Sequence, residues 1–269
     1  MNLRKRIRRQ GLTASMQALE PRLLLAASFI SYLNDGTMVV TGTPGDDNIR
    51  FAVWLDEASG QIVRTFFDVI LNQESVTYVA SSIRIVAGGG NDTINCIQEL
   101  WTNDWGTPSP APFAAYIDGG DGDDRITANV LADTIEVGAG NDVVWANDGA
   151  DKVVGGDGDD TLSGGAQKDH LDGGAGNDRL NGNGGHDRLF GGPNADRLFG
   201  YEGNDWLEGG SSNDRLEGGN GLDTMYGVGG NDRFFAAGDS TIDEVFGGKG
   251  DDTAIVDASD LLASVEIHV

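Results

Sequence analysis

An aspartate recurs at every ninth residue from Asp124 onward, at Asp133, Asp142, Asp151, Asp160, Asp169, Asp178, Asp187, Asp196, Asp205, Asp214, Asp223 and Asp232. A carboxylate can serve as acid, base or ligand, and this spacing selects among those roles. Two of these side chains could imitate the carboxylate pair of a glycosidase, but the repeat itself accounts for their separation. A row of like charges at a regular interval repels itself unless a cation lies between its members. Carboxylate oxygens, together with main-chain carbonyls exposed by neighbouring glycines, are hard donors that suit calcium far better than zinc or copper.

The elements that must position these groups follow from the residues around them. Two residues after each aspartate stands an apolar side chain: Ile126, Ile135, Val144, Val153, Leu162, Leu171, Leu180, Leu189, Leu198, Leu207, Leu216, Met225 and Phe234. The clearest copies read GGDGDDTLS (155–163) and GGAGNDRLN (173–181). Glycine at the first, second and fourth positions allows a tight turn through positive φ. The last three residues make a short strand with one side chain inward and two outward. Each nonapeptide is then half a coil, two close a flattened coil of 18 residues, and successive coils pair in parallel at about 4.8 Å. The expected fold is all-β: a parallel β-roll, or right-handed β-solenoid, with an irregular β region at its N-terminal side. Residue n sits over residue n+18, so the aspartates fall into two columns. Asp124, Asp142, Asp160, Asp178, Asp196, Asp214 and Asp232 lie on one edge, and Asp133, Asp151, Asp169, Asp187, Asp205 and Asp223 on the other. A later copy, GGKGDDTAI (247–255), adds Asp252. With one ion between repeats two apart, the roll would take up to about 11 calcium ions, with backbone carbonyls near Gly156, Gly158, Gly174 and Gly176 as further donors.

The pattern G-G-x-G-x-D-x-U-x, where U is apolar, resembles the RTX family of calcium-binding nonapeptide repeats over residues 119–255. The resemblance implies a calcium-filled β-roll in an exported protein. It also implies relatives among proteases, lipases, epimerases and toxins, whose catalysis resides in a separate domain. Near the N-terminus, Leu19, Glu20, Pro21 and Arg22 followed by Leu23, Leu24 and Leu25 resemble the LEPR-x-LL motif near the start of exported bacterial proteins. The expected organisation is a basic export segment (1–27), an irregular solenoid-like region with a proline-rich loop (28–118), the roll (119–255) and a closing strand (256–269). The expected location is secreted, extracellular or at the cell surface.

Charge agrees with this reading. The formal net charge is −25, yet residues 1–22 carry six Lys or Arg against one Glu, which leaves 12 basic and 42 acidic residues elsewhere, a net of −30. Nucleic acid is an unsuitable partner for such a surface, whereas divalent cations would neutralise most of it. Folding is therefore expected to need the metal. No stretch approaches 18 apolar residues, so no transmembrane segment is expected. Cys96 is the single cysteine, which rules out an intramolecular disulfide and reads as a small buried hydrophobe.

Catalytic motifs are missing: there is no H-E-x-x-H, no G-x-S-x-G and no P-loop, and the three histidines, His170, His186 and His268, stand at unrelated positions. The leading expectation is a structural or adhesive calcium-binding protein that is not an enzyme. The alternative is a small hydrolase or polysaccharide-active enzyme with a compact site in 28–118. Turns starting at 128, 146 and 164 (ANVLAD, ANDGAD, GGAQKD) lose glycines, and Lys168 sits beside Asp169, so the Asp124 column should bind the more tightly. Beyond calcium, the partner would be an anionic polysaccharide or cell-surface matrix. Arg179, Arg197, Arg215 and Arg233 stack at 18-residue spacing on one outward face, flanked by Asn181, Phe199, Glu217 and Phe235, with the two phenylalanines available for stacking.

Overall fold

The computed structural model describes residues 29–32, 37–42, 45, 48–58, 61–71, 74–79, 82–96, 114–236, 238, 241–263 and 266–267. Expectations that fall on the basic leader, the proline-rich loop or His268 lie outside these residues. Among the described residues every regular element is a β-strand, and the strands form two sheets, of 12 and 13 members. No helix is long and apolar enough to cross a membrane.

The chain alternates between the two sheets, and within each the neighbours are parallel through the whole repeat region. The register is the one the period dictates: Ile117 lies beside Ile135, Ile135 beside Val153, and Val153 beside Leu171. On the opposite sheet Val144 pairs with Leu162, Leu162 with Leu180, and Leu180 with Leu198. The inward residue of each strand, such as Leu162, Leu171, Leu189 or Leu207, is fully buried, and so is the first glycine of the following turn. The core is thus a thin double row of Leu, Ile and Val set against backbone, because the coil is only one inward side chain deep on each side.

The stretched N-terminal copies enter the same two sheets. Strands β1 (Phe29–Tyr32), β2 (Thr37–Thr41), β3 (Asn48–Ala58), β4 (Gln61–Leu71), β5 (Glu74–Val79), β6 (Ser82–Gly89) and β7 (Thr93–Asn95) precede the regular coils. β2 pairs in parallel with β6, which pairs in parallel with Ala115–Asp121. β3 pairs in parallel with β7, which continues to Arg125–Thr127. Val40, Ile85, Ile49 and Ile94 extend the two inward rows. Two antiparallel additions close this end: β1 on β2, and β4 with β5 beyond β3.

At the other end the coil lengthens to 20 residues around Ala236, where Met225 pairs with Val245 and Phe234 with Ala254. The extra residues are accommodated between Phe234 and Asp243, and the parallel pairing resumes at Glu244–Lys249. The last short strands, Leu261–Ala263 and Glu266–Ile267, cover the exposed edges of the two sheets.

Cys96 is buried beside Thr127, to whose carbonyl its N–H donates, and burial pushes the thiol well up, with Asp133 adding to the effect. This is the small-hydrophobe role expected for it. Because each inward position is a single side chain packed between its two neighbours in the row, Leu198→Ala should lose about 2 to 5 kcal/mol in denaturant unfolding of the calcium-loaded protein. Leu261→Ala, at a site 56% exposed, should lose a small fraction of that; equal losses would contradict a core confined to the two rows.

Candidate metal centre

The two columns exist, and they are buried. None of the aspartates expected as ligands exposes more than 3% of its surface. Asp is enriched in turns because its short side chain reaches nearby backbone N–H groups, and here it reaches one coil away. The N–H of Asp124 donates to Oδ1 of Asp142, that of Asp142 to Asp160, Asp160 to Asp178, Asp178 to Asp196, Asp196 to Asp214 and Asp214 to Asp232, at 2.6 to 2.8 Å. Asp232 continues to Asp252 at 2.9 Å. The second column runs from Asp133 through Asp151, Asp169, Asp187, Asp205 and Asp223 in the same way. Each aspartate carbonyl also accepts from the first strand residue of the next coil, as Asp160 does from the N–H of Arg179 at 2.8 Å.

Two further aspartates belong to these columns. Asp92 donates its N–H to Asp124 Oδ1 at 2.7 Å, and Asp243 accepts from the N–H of Asp223 at 2.9 Å. Sequence reasoning left both out of the ligand set. Asp92 was visible inside the copy AGGGNDTIN (87–95), whereas Asp243 stands 11 residues after Asp232 and broke the period that identified the others.

A second ladder runs beside the first in the opposite sense. The residue before each aspartate is often Asp or Asn, and its side chain accepts from the N–H of the residue one coil later. Asp123 accepts from Asn141, Asn141 from Asp159, and Asp159 from Asn177, at 2.7 to 2.8 Å. On the other edge His186 fills this place, with Nδ1 accepting from the N–H of Asn204 at 2.7 Å. His170 packs against Phe190 at 5.1 Å on an outward face, and burial is the main cause lowering its pKa.

With Oδ1 engaged, the other carboxylate oxygen decides what the site can do. In Asp124, Asp142, Asp151, Asp160, Asp169, Asp178, Asp187, Asp196, Asp205, Asp214, Asp232 and Asp252, Oδ2 is buried without a hydrogen-bond donor. Where the turn opens with glycine, Oδ2 faces it: a Cβ on Gly155, Gly164 or Gly173 would overlap Oδ2 of Asp160, Asp169 or Asp178, whereas the turns of Asp142 and Asp151 open with Val137 and Ala146. At Gly155 the same point would overlap the carbonyl oxygen of Gly173. In the turns that open with glycine this space is free of side chain and lined by oxygen. The carbonyls of Gly156 and Gly158 lie directly beneath Gly174 and Gly176 in the stack, and those of Gly174 beneath Gly192. Among the described residues no three His, Cys, Asp or Glu side chains converge on one point. A cation here would therefore draw on main-chain carbonyls as well as carboxylates, the donor set of a hard ion.

Burial without a counter-charge is felt in the acidity of these groups. Loss of solvent pushes Asp160, Asp169, Asp124, Asp196 and Asp214 up to about 7, Asp178, Asp187 and Asp232 to about 6, and Asp151 to about 8. Asp142 and Asp205 are raised for the same reason. The N–H donated from the preceding aspartate works against the shift, and repulsion from neighbouring carboxylates adds to it in most of the column. Lys168 is exposed, and its charge lowers the pKa of Asp187 in the next coil.

Asp133 departs from the rest. Its Oδ1 accepts from the N–H of Ala115 (2.6 Å) and from Nδ2 of Asn129 (3.0 Å), and its Oδ2 from the N–H of Asn129 (3.1 Å). Asn129 is itself buried and takes the N–H of Leu131 at 2.8 Å. This turn, ANVLAD, also lacks the positive φ that the second and fourth turn positions adopt elsewhere, even where they are not glycine: Asn147 at 74°, Gln167 at 79°, Asn183 at 74°, Asn194 at 83°, Tyr201 at 75°, Ser212 at 94° and Val228 at 76°. Protein donors satisfy both oxygens of Asp133, so it lacks the open oxygen that marks Asp151, Asp169, Asp187 and Asp205 in its column.

The geometry agrees with what comparison finds. A model of the RTX calcium-binding nonapeptide repeat matches residues 84–95, 116–135, 127–162, 163–198, 199–234 and 237–260. No curated protein matches the chain. The matched segments cover most of the described coils, and such repeats imply calcium binding. The chain belongs to the RTX calcium-binding nonapeptide repeat family.

Proposed function

We propose that this protein is an exported calcium-binding β-roll, secreted or held at the cell surface, whose fold is completed by the metal and whose role is structural or adhesive. The observation that carries this reading is the pair of buried aspartate columns, in which twelve carboxylates, Asp160 and Asp178 among them, keep one oxygen without a hydrogen-bond donor. A buried anion of this kind is costly unless it is neutralised by a proton or a cation. The ligands would be the aspartates of the two columns, Asp252 among them, with carbonyls near Gly156, Gly158, Gly174 and Gly176; Asp133 would contribute least. Bound calcium supplies charge compensation and ties one coil to the next. The entry of β2, β3, β6 and β7 into the two sheets supports a structural role over a catalytic pocket in 28–118.

Three outcomes follow. Far-UV circular dichroism of the purified chain at pH 7.5 should show β-structure appearing at about 10⁻⁴ to 10⁻³ M calcium, the range of extracellular modules, and disappearing in EGTA. An equally ordered, protease-resistant roll in EGTA would sink the proposal.

The second concerns pH. The buried carboxylates have folded-state pKa values raised to about 6 to 8, above their unfolded values. Their contribution to the metal-free fold is fully present below the ordinary carboxylate range and is lost as pH rises through 6 to 8. In EGTA, β-structure should therefore grow on acidification from pH 8 to pH 5. Calcium binding should weaken over the same interval and release protons. Order in EGTA that is indifferent to pH, or rises with it, would count against protonation as the substitute for metal.

The third ranks the columns. Asp160 lies beside a turn with glycine at both positive-φ positions, whereas that of Asp151 carries Asn147 at 74°. Asp151 is also the harder of the two to ionise. Asp160→Ala should raise the calcium midpoint more than Asp151→Ala, and equal shifts would refute the ranking.

A further inference from the structure

The outward face of the 13-stranded sheet carries the arginine ladder that the 18-residue period places there. Arg179 lies beside Arg197, Arg197 beside Arg215, and Arg215 beside Arg233, with Thr161 before the first and Thr253 after the last. The four are not equivalent. Two residues on, on the same face, stand in turn Asn181, Phe199, Glu217 and Phe235. Arg179 donates to Asn181 at 3.1 Å and lies 4.2 Å from the centre of the Phe199 ring. Arg215 pairs with Glu217 at 3.0 Å and lies 4.0 Å from Phe235 and 5.9 Å from Phe199. Both are half-buried. Arg197 and Arg233, followed by phenylalanine, have no acceptor at that place; they are exposed and form no ion pair among the described residues. The phenylalanine rings are also less available than the sequence suggests, since Phe199 lies between Arg179 and Arg215.

The uncommitted cations therefore alternate. Their strands are two coils apart, roughly 10 Å, along a groove of about 790 Å³ lined by all four arginines and Phe199 together with Asp196, Asp214, Asp232 and Asp251. A guanidinium takes a carboxylate through two parallel hydrogen bonds. The net acidity of the chain disfavours nucleic acid, and same-side residues of an extended peptide recur at about 6.6 Å, which does not match the interval. A linear polysaccharide with one carboxylate in every two sugar units does, because a pyranose ring advances its chain by about one strand spacing.

We propose that Arg197 and Arg233 form a docking site for a linear polysaccharide carrying one uronate per disaccharide, with Arg179 and Arg215 as the stacked supports of the groove. This rests on the reading of the roll as a calcium-ordered adhesive module and names its ligand. The test is the binding of fluorescent hyaluronan oligosaccharides to the full chain in saturating calcium, with circular dichroism recorded on every sample. Wild type should bind, with affinity falling steeply as sodium chloride rises. Arg197→Gln with Arg233→Gln should weaken binding by at least about tenfold at unchanged circular dichroism, while Arg179→Gln with Arg215→Gln should lose less. Equal losses in the two double variants, equal binding of polyglutamate, or absence of binding by calcium-ordered wild type would overturn the site. Binding that is indifferent to both pairs would assign the contact to calcium bridging and also overturn it. Failure of the calcium reading shows separately, as a roll ordered in EGTA, whose affinity for the oligosaccharide can still be measured.

Discussion

Everything else in this molecule depends on a hydrogen bond from the N–H of one aspartate to the carboxylate of the aspartate one coil further on. It fixes the stacking distance, places a charged group where solvent does not reach, and leaves the second carboxylate oxygen facing the start of its own turn, a glycine in most coils. Once that bond is made, the roll has traded solvation of its acids for alignment of its coils. The thin core, a single row of aliphatic side chains on each side, does little to offset such a loss. Protonation or a divalent cation must, and the raised pKa values of the columns express the same demand in another form.

The two ladders on the Asp124 edge divide the work. The aspartate ladder runs forward, each N–H reaching to the next coil's carboxylate, and the ladder of preceding Asn and Asp residues runs backward, each side chain accepting from the next coil's N–H. Together they satisfy the backbone of turns that no regular sheet pairing reaches. The positive φ kept by Val228, Tyr201 and Gln167 shows how firmly the stack imposes its turn: residues that avoid this region elsewhere adopt it here.

Much of this was legible in the chain. A period of nine with an apolar residue two places after each aspartate gives parallel coils of 18 with no other reasonable folding, and the register of Leu162, Leu180 and Leu198 follows from counting. Less legible were the features that depend on what a side chain touches. Asn129 closing on Asp133 could not be told from a weakened repeat, because ANVLAD reveals the missing glycines but not the amide that replaces them. Asp243 was lost to the eye because its distance along the chain changed while its place in space did not. The alternation among the arginines was spelled in the sequence as RLN, RLF, RLE, RFF, yet it acquired meaning only when the donors and rings were seen to pair.

The lengthened coil near Ala236 bears on how such a molecule can change over time. Asp223 reaches Asp243 and Asp232 reaches Asp252 across 20 residues as well as their counterparts do across 18, and Asp92 reaches Asp124 across 32. Contact between coils is the conserved quantity and contour length is the free one. An inserted segment that leaves and re-enters between an inward residue and the next aspartate is invisible to both ladders. Material can therefore be added to the flank of any coil without disturbing its neighbours, and the stack serves as a frame on which excursions of any size are hung.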